Sequence, residues 1–177
     1  TKNGKAIYVN GSYLIGFITI GGAYKQYDKF QYRLNDLPMA NYHNETLSDA
    51  SASGEDEIGY QGFGTVNFTD NLNFTVDYAE AFNSDKDKKM NDAYFALEYL
   101  GNSYSLLASY SQIEKIDDIN SAWQQELIPA LQSSFYLFNI PVKIQAEYKK
   151  ISKQKQITES EHYEPKLQTD FALGKLA

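Results

Sequence analysis

Segments that alternate apolar and polar residues recur along this chain, separated by clusters of turn-forming residues, and that alternation restricts the fold more than any other feature. In Leu72-Asn73-Phe74-Thr75-Val76-Asp77-Tyr78, Leu, Phe, Val and Tyr fall on one side and Asn, Thr and Asp on the other. This is the period of an extended strand with one apolar and one wet face. A barrel in lipid requires this pattern, with apolar residues outward, polar residues inward and each backbone group paired with a neighbouring strand. The expected fold class is therefore all-β, an antiparallel up-and-down meander of about nine long strands forming part of a transmembrane β-barrel.

Composition narrows the alternatives. The chain has 177 residues, one domain's worth, with 42% hydrophobic and 15% aromatic residues and only four prolines, too apolar for intrinsic disorder. Its 15 tyrosines suit a boundary between lipid and water, although tyrosine-rich soluble β-proteins share the trait. A mean hydropathy of -0.51 and no run of 18 apolar residues exclude a transmembrane helix, but not strands that are only half apolar. The net charge of -7 argues against a nucleic-acid partner, since phosphate binding needs a concentrated basic surface. Lys86, Lys88 and Lys89 alternate with Asp85 and Asp87 and read as a solvated loop. Cysteine is absent, so neither disulfides nor thiol chemistry enter. The sequence opens at Thr1 without an initiator Met or a signal segment, from which a removed leader or a fragment is expected.

The strands are expected in pairs. Lys5–Ser12 and Phe17–Tyr32 join around Tyr13-Leu14-Ile15-Gly16, and Ile58–Phe68 and Leu72–Phe82 join at Thr69-Asp70-Asn71, where Asp and Asn tolerate left-handed backbone. Asn91–Leu100 and Tyr104–Ile116 turn at Gly101-Asn102-Ser103; Glu126–Phe138 and Pro141–Ile151 turn at Asn139-Ile140; a ninth strand is expected over Lys166–Lys175. Longer links fall at Leu34–Glu57, Asn83–Met90, Asp117–Gln125 and Ser152–Pro165. The first, rich in Asn, Asp, Pro, Ser and Gly, is expected to be a surface loop. Tight turns on one rim and long loops on the other fit an outer-membrane barrel, and soluble up-and-down barrels can share the trait.

Within these strands the wet-face residues Asn73, Thr75, Asp77, Ser105, Ser109, Gln132, Lys143, Gln145, Glu147, Lys149 and Asp170 are the candidates to face a lumen. Leu107 on the wet side, and Ser133 and Tyr136 each on the wrong side, interrupt the division. Phe68, Phe74, Tyr99, Tyr104 and Phe138 sit at the tight-turn ends, and Phe82, Tyr110 and Tyr148 toward the long-loop ends, where two aromatic girdles belong. Glu80, on the apolar side near Phe82, would have to lie at headgroup level.

No motif for chemistry stands out. Walker, HExxH, GxSxG and Cys/His metal spacings are missing, and the two histidines, His43 and His162, fall in expected loops, so no enzyme, no cofactor and no metal are expected. Gly59-Tyr60-Gln61-Gly62-Phe63-Gly64 lies inside a strand and reads as close packing or a bend instead of a phosphate cradle. Asp49 with Glu55-Asp56-Glu57 could gather a divalent cation, although a solvated acidic loop explains them as well.

The runs Gly4-Lys5-Ala6-Ile7-Tyr8-Val9-Asn10, Lys29-Phe30-Gln31-Tyr32-Arg33, Asn35-Asp36-Leu37-Pro38 and Gly54-Glu55-Asp56-Glu57-Ile58-Gly59-Tyr60-Gln61 resemble uncharacterised, porin-like outer-membrane barrels of Bacteroidota and related bacteria. The resemblance covers mainly the first third of the chain. It implies a Gram-negative outer-membrane location, with outer-membrane lipid and small solutes or ions as partners, and brings no assigned substrate or catalytic residue. Such barrels are typically larger and end on an aromatic residue, so a chain ending at Leu176-Ala177 after an odd strand count is expected to be a fragment. The expected function is a passive pore or an outer-membrane scaffold of unknown cargo. The alternative is a soluble or surface-attached β-sheet protein that binds ligands through its long loops, especially Leu34–Glu57.

Overall fold

In a computed structural model the described residues are 4–28, 40–43, 45, 47, 56–118, 122–138, 140–155 and 158–171. Each alternating run becomes a strand: β1 (Lys5–Ile15), β2 (Ile18–Asp28), β3 (Glu57–Thr69), β4 (Leu72–Phe82), β5 (Lys88–Leu100), β6 (Tyr104–Asp117), β7 (Ala122–Leu137), β8 (Ile140–Lys155) and β9 (Thr158–Phe171). They form one antiparallel sheet in chain order, β1 to β9, with no helix among the described residues. The sheet is not closed: β1 pairs with β2 alone and β9 with β8 alone.

Several boundaries differ from expectation. The first hairpin turns at Gly16-Phe17, where Gly16 adopts φ of +59°, so Tyr13, Leu14 and Ile15 belong to β1. β9 begins at Thr158, eight residues before the expected start at Lys166, and most of the expected link Ser152–Pro165 is therefore strand. His162 accordingly lies in β9 and not in a loop. The links at 83–87 and 118–121 are also shorter than expected, because β5, β6 and β7 reach Lys88, Asp117 and Ala122. Apart from these connections, only the link 29–56 is long.

Register fixes two faces. Leu72, Phe74, Val76 and Tyr78 share an apolar face with their partners Tyr99, Leu97, Phe95 and Ala93 on β5. Asn73, Thr75 and Asp77 share the opposite, polar face with Glu98, Ala96 and Tyr94. Burial is inverted relative to a soluble sheet. The buried side chains include Ala23, Lys25, Tyr27, Asp77, Ala79, Ala81, Met90, Asp92, Ala96 and Ile113, all on the polar face of β2 to β6. Large apolar side chains on the other face, among them Ile20, Tyr24, Phe95, Leu97, Leu106 and Leu131, stand exposed.

Glycines permit close approach at the first strands. Gly21 faces Phe63 across β2 and β3, and a Cβ there would run into the Phe63 ring and come within 2.7 Å of the Gly11 carbonyl. Gly59 leaves room for the buried Lys25 stem, whose Cε would lie 2.8 Å from a Cβ. The glycine-rich stretch of β3 thus serves close packing.

Candidate functional site

Two surfaces of the sheet carry organised chemistry. On the polar face, all of the wet-side candidates lie in register: Asn73, Thr75 and Asp77 on β4, Ser105 and Ser109 on β6, Gln132 on β7, Lys143, Gln145, Glu147 and Lys149 on β8, and Asp170 on β9. Across β8 and β9, Lys143 stands opposite Asp170, Gln145 opposite Gln168, Glu147 opposite Lys166 and Lys149 opposite Glu164. Opposite charges thus face each other along the ladder, an arrangement that stabilises a strand pair. Lys149 Nζ also reaches Glu126 of β7 at 2.6 Å.

The structure brings part of the long link to this face, which the sequence assigned to a surface loop. Ala40 and Asn41 are buried. The Asn41 amide donates to the Glu45 carbonyl and its Oδ1 accepts from the Glu45 N–H, both at 2.8 Å, closing a turn. The His43 N–H donates to Asp92 Oδ2 at 3.1 Å while His43 Nδ1 lies 2.7 Å from Asp92 Oδ1. Tyr42 stacks on Tyr94 of β5 with ring centroids 3.7 Å apart. Glu45 pairs with Lys115 of β6 at 2.8 Å. Asp92 is 0% exposed, and both of its oxygens are engaged by His43.

Two further buried acids flank this seat. Glu57 pairs with Lys25 at 2.6 Å, both beyond the reach of water, so Glu57 does not belong to a solvated acidic loop. Asp56 accepts from the backbone and hydroxyl of Ser84, while Asp49 and Glu55 lie outside the described residues. Asp77 Oδ2 accepts from Gln61 at 2.7 Å, and its buried Oδ1 has no hydrogen-bond partner among the described residues. Among those residues no group of three or more Asp, Glu or His side chains is arranged to hold a metal ion.

The apolar face is bounded by aromatic side chains at both ends. Phe68, Phe74, Tyr99 and Tyr104 lie toward the tight turns and Phe138 in one of them, 90% exposed. Toward the long link runs a tier of tyrosines comprising Tyr24, Tyr60, Tyr78, Tyr110, Tyr148 and Tyr163, with Phe82 one step beyond. Their hydroxyls share one direction. Tyr24 donates to Gln26 at 3.0 Å, Tyr78 to Glu80 at 2.6 Å, Tyr110 to Gln112 at 3.4 Å and Tyr163 to Glu161 at 2.6 Å, and Tyr60 also donates to Glu80. For Tyr24, Tyr78, Tyr110 and Tyr163 the acceptor lies one same-face position farther from the tight turns, whereas Glu80 stands directly opposite Tyr60. Glu80, the misfit of the sequence pattern, is thereby the acceptor for two hydroxyls.

Only Tyr110 and Tyr148 of this tier were among the aromatic candidates. The spacing of a tyrosine two residues from Gln or Glu on the same face, in Tyr24-Lys25-Gln26, Tyr78-Ala79-Glu80, Tyr110-Ser111-Gln112 and Glu161-His162-Tyr163, is the signal that identifies Tyr24, Tyr78 and Tyr163, whereas the acceptor of Tyr60 lies on the next strand. The seat of 40–47 has no such local signal, because His43 and Asp92 are 49 residues apart.

No protein-family model matches the chain, and neither the curated proteins nor the solved structures include a significant match.

Proposed function

We propose that this sheet is part of the wall of a bacterial outer-membrane β-barrel, acting as a passive pore or an outer-membrane scaffold. Its apolar face meets lipid and its polar face lines the interior. The carrying observation is the tyrosine tier, with the hydroxyls of Tyr24, Tyr78, Tyr110 and Tyr163 directed away from the apolar band toward a polar row. That is how an amphipathic ring sits at a lipid–water boundary. On β3 the apolar stretch from Tyr60 to Phe68 spans eight residue steps, about 27 Å along the strand and about 20 Å along a barrel axis at usual tilts, near the height of a barrel's apolar band.

The alternative, a water-soluble sheet binding through its loops, would leave apolar side chains of all nine strands in water as one patch. Soluble monomers rarely expose more than a few hundred Å² of such surface. With Tyr42, His43 and Glu45 seated on the polar face, the interior of the barrel is partly filled, which supports a restricted pore or a plugged scaffold over a wide channel.

Trp123 is the chain's single tryptophan. In the native protein, expressed from its full reading frame, Trp123→Phe combined with Phe95→Trp puts one fluorophore on the apolar face. Reconstituted into vesicles with acyl-brominated lipid, its emission should be strongly quenched, while a tryptophan replacing Ser109 on the polar face should not be. Equal quenching at the two positions, or a folded protein that stays monomeric without detergent, would refute the proposal.

A further inference from the structure

A cavity of about 260 Å³ opens on the apolar face just beyond the tyrosine tier, and its walls include Tyr60, Glu80, Phe82, Lys86, Lys89 and Asn91. The turn that carries Lys86 is built. Asn83 accepts from the Lys86 N–H with its carbonyl at 3.0 Å and from the Lys88 N–H with its side chain at 3.0 Å, and its amide donates to Asp87 at 2.6 Å. Lys86 adopts φ of +59°, and its ammonium lies over the Phe82 ring, 5.5 Å from the centroid. Lys89 stands directly opposite Phe82 on β5. Two cations therefore flank one aromatic ring.

Their surroundings leave them available. Lys88, between them in sequence, reaches Asp117 at 3.9 Å, and Lys150 of the same face pairs with Glu161 at 2.8 Å, whereas Lys86 and Lys89 have no carboxylate within ion-pair distance among the described residues. Glu80 is the acid of the cavity wall, and both of its oxygens are occupied by the hydroxyls of Tyr60 and Tyr78. A ligand with concentrated negative charge and an apolar tail fits here: its charge meets the two ammonium groups, and its tail descends past Phe82 and Tyr78 over the exposed apolar face. From this arrangement we infer that Lys86 and Lys89 form a binding site for the phosphate of an anionic lipid in the surrounding bilayer. The inference rests on the proposal that the apolar face meets lipid.

The test uses the full-length protein in detergent micelles, titrated separately with short-chain phosphatidic acid, short-chain phosphatidylcholine and inorganic phosphate. Bound ligand is counted by native mass spectrometry. The variant is Lys86→Asn with Lys89→Gln, since Asn tolerates the left-handed turn position. The native protein should retain phosphatidic acid above the other two ligands, and the double variant should hold it about 30-fold more weakly, the effect usual for two lysines at a lipid surface. Lys143→Gln, on the polar face, should change nothing.

Equal affinity in the native protein and the double variant would overturn the site. So would inorganic phosphate binding as tightly as the lipid, because the ligand would then be a free anion. Retention of both lipids regardless of the lysines would remove the headgroup site and leave the lipid-facing reading standing. A protein that takes up neither detergent nor lipid would fail that reading itself.

Discussion

Asp92→Ala should release residues 40–47 from the polar face. Asp92 is fully buried and both of its oxygens serve His43, one the backbone N–H and one the ring. Each hydrogen bond to a buried carboxylate is worth about 1.5–3 kcal/mol, so losing both costs about 3–5 kcal/mol. The contacts that remain are smaller: the Tyr42–Tyr94 stack contributes about 1 kcal/mol and the partly exposed Glu45–Lys115 pair at most about the same. A loss of about 4 kcal/mol lowers the ratio of seated to released segment roughly a thousandfold. Because the chain has no cysteine, Ala40→Cys supplies a single thiol at a position that is 2% exposed. Its rate of reaction with a water-soluble maleimide, referred to the rate in the unfolded chain, measures the released fraction. In that background Asp92→Ala should accelerate labelling by about three orders of magnitude, and Asp92→Asn, which keeps an acceptor for the His43 N–H, by about half of that on a logarithmic scale. Tyr94→Leu should cost only several-fold. Equal labelling in the parent and in Asp92→Ala would refute the clamp.

Lys25→Met alone should lower stability by about 3–5 kcal/mol in urea unfolding, and adding Glu57→Leu should restore most of it; a double variant no better than the single would show that the buried pair is not what matters. Gly21→Ala should cost about 1–3 kcal/mol through overpacking against Phe63, whereas Gly62→Ala, with nothing within 4 Å of its Cβ, should be neutral or slightly stabilising; similar melting temperatures for the two would contradict the packing account. For an open pore, replacing Lys143 and Lys149 by Glu should shift reversal potentials in a salt gradient away from anions, since each change also puts a second acid opposite Asp170 or Glu164. Unchanged potentials would remove these residues from the conduction path.

The fold was legible wherever one face of a strand was apolar. Leu72 to Tyr78 and Val142 to Lys149 alternate cleanly, and their registers agree with the faces read from sequence. Legibility stops where a strand rises past the apolar band. Ser152 to Lys155 and Thr158 to His162 are polar on both sides, so alternation vanishes although the backbone ladder from Ser152↔Glu161 to Lys155↔Thr158 continues. The ninth strand was misplaced for that reason. The first turn was misread for the opposite reason: Tyr13-Leu14-Ile15 is apolar throughout because Leu14 points to the polar face, which breaks the period without ending the strand. The wet-face candidates were found because period-2 geometry fixes a face locally. Segment 40–47 was not, because its partners Asp92, Tyr94 and Lys115 lie on other strands at separations that no local pattern encodes.

The two parts of the polar face handle charge by different means. Across β7 to β9 neutralisation is built into register, with lysine facing acid at Lys143/Asp170, Glu147/Lys166 and Lys149/Glu164, and with Glu126 bonded to Lys149. These side chains stay partly exposed, so water screens them and the wall is polar without a strong field of one sign. Across β2 to β6 Lys25 is matched by Glu57 of the adjacent strand β3, but Asp92 and Lys115 are met by groups brought from outside the ladder, His43 and Glu45. There Lys25, Glu57 and Asp92 are buried, and an unmatched charge is costly. Asp77, whose Oδ1 lacks a partner among the described residues, already marks the least satisfied point. Displacing the segment therefore does more than open space, because it uncovers Asp92 beside Asp77 and takes Glu45 away from Lys115, redistributing the charge of the surface. In the barrel we propose, the β7 to β9 wall would tune passage weakly, and the position of residues 40–47 would govern both the width and the charge of the interior.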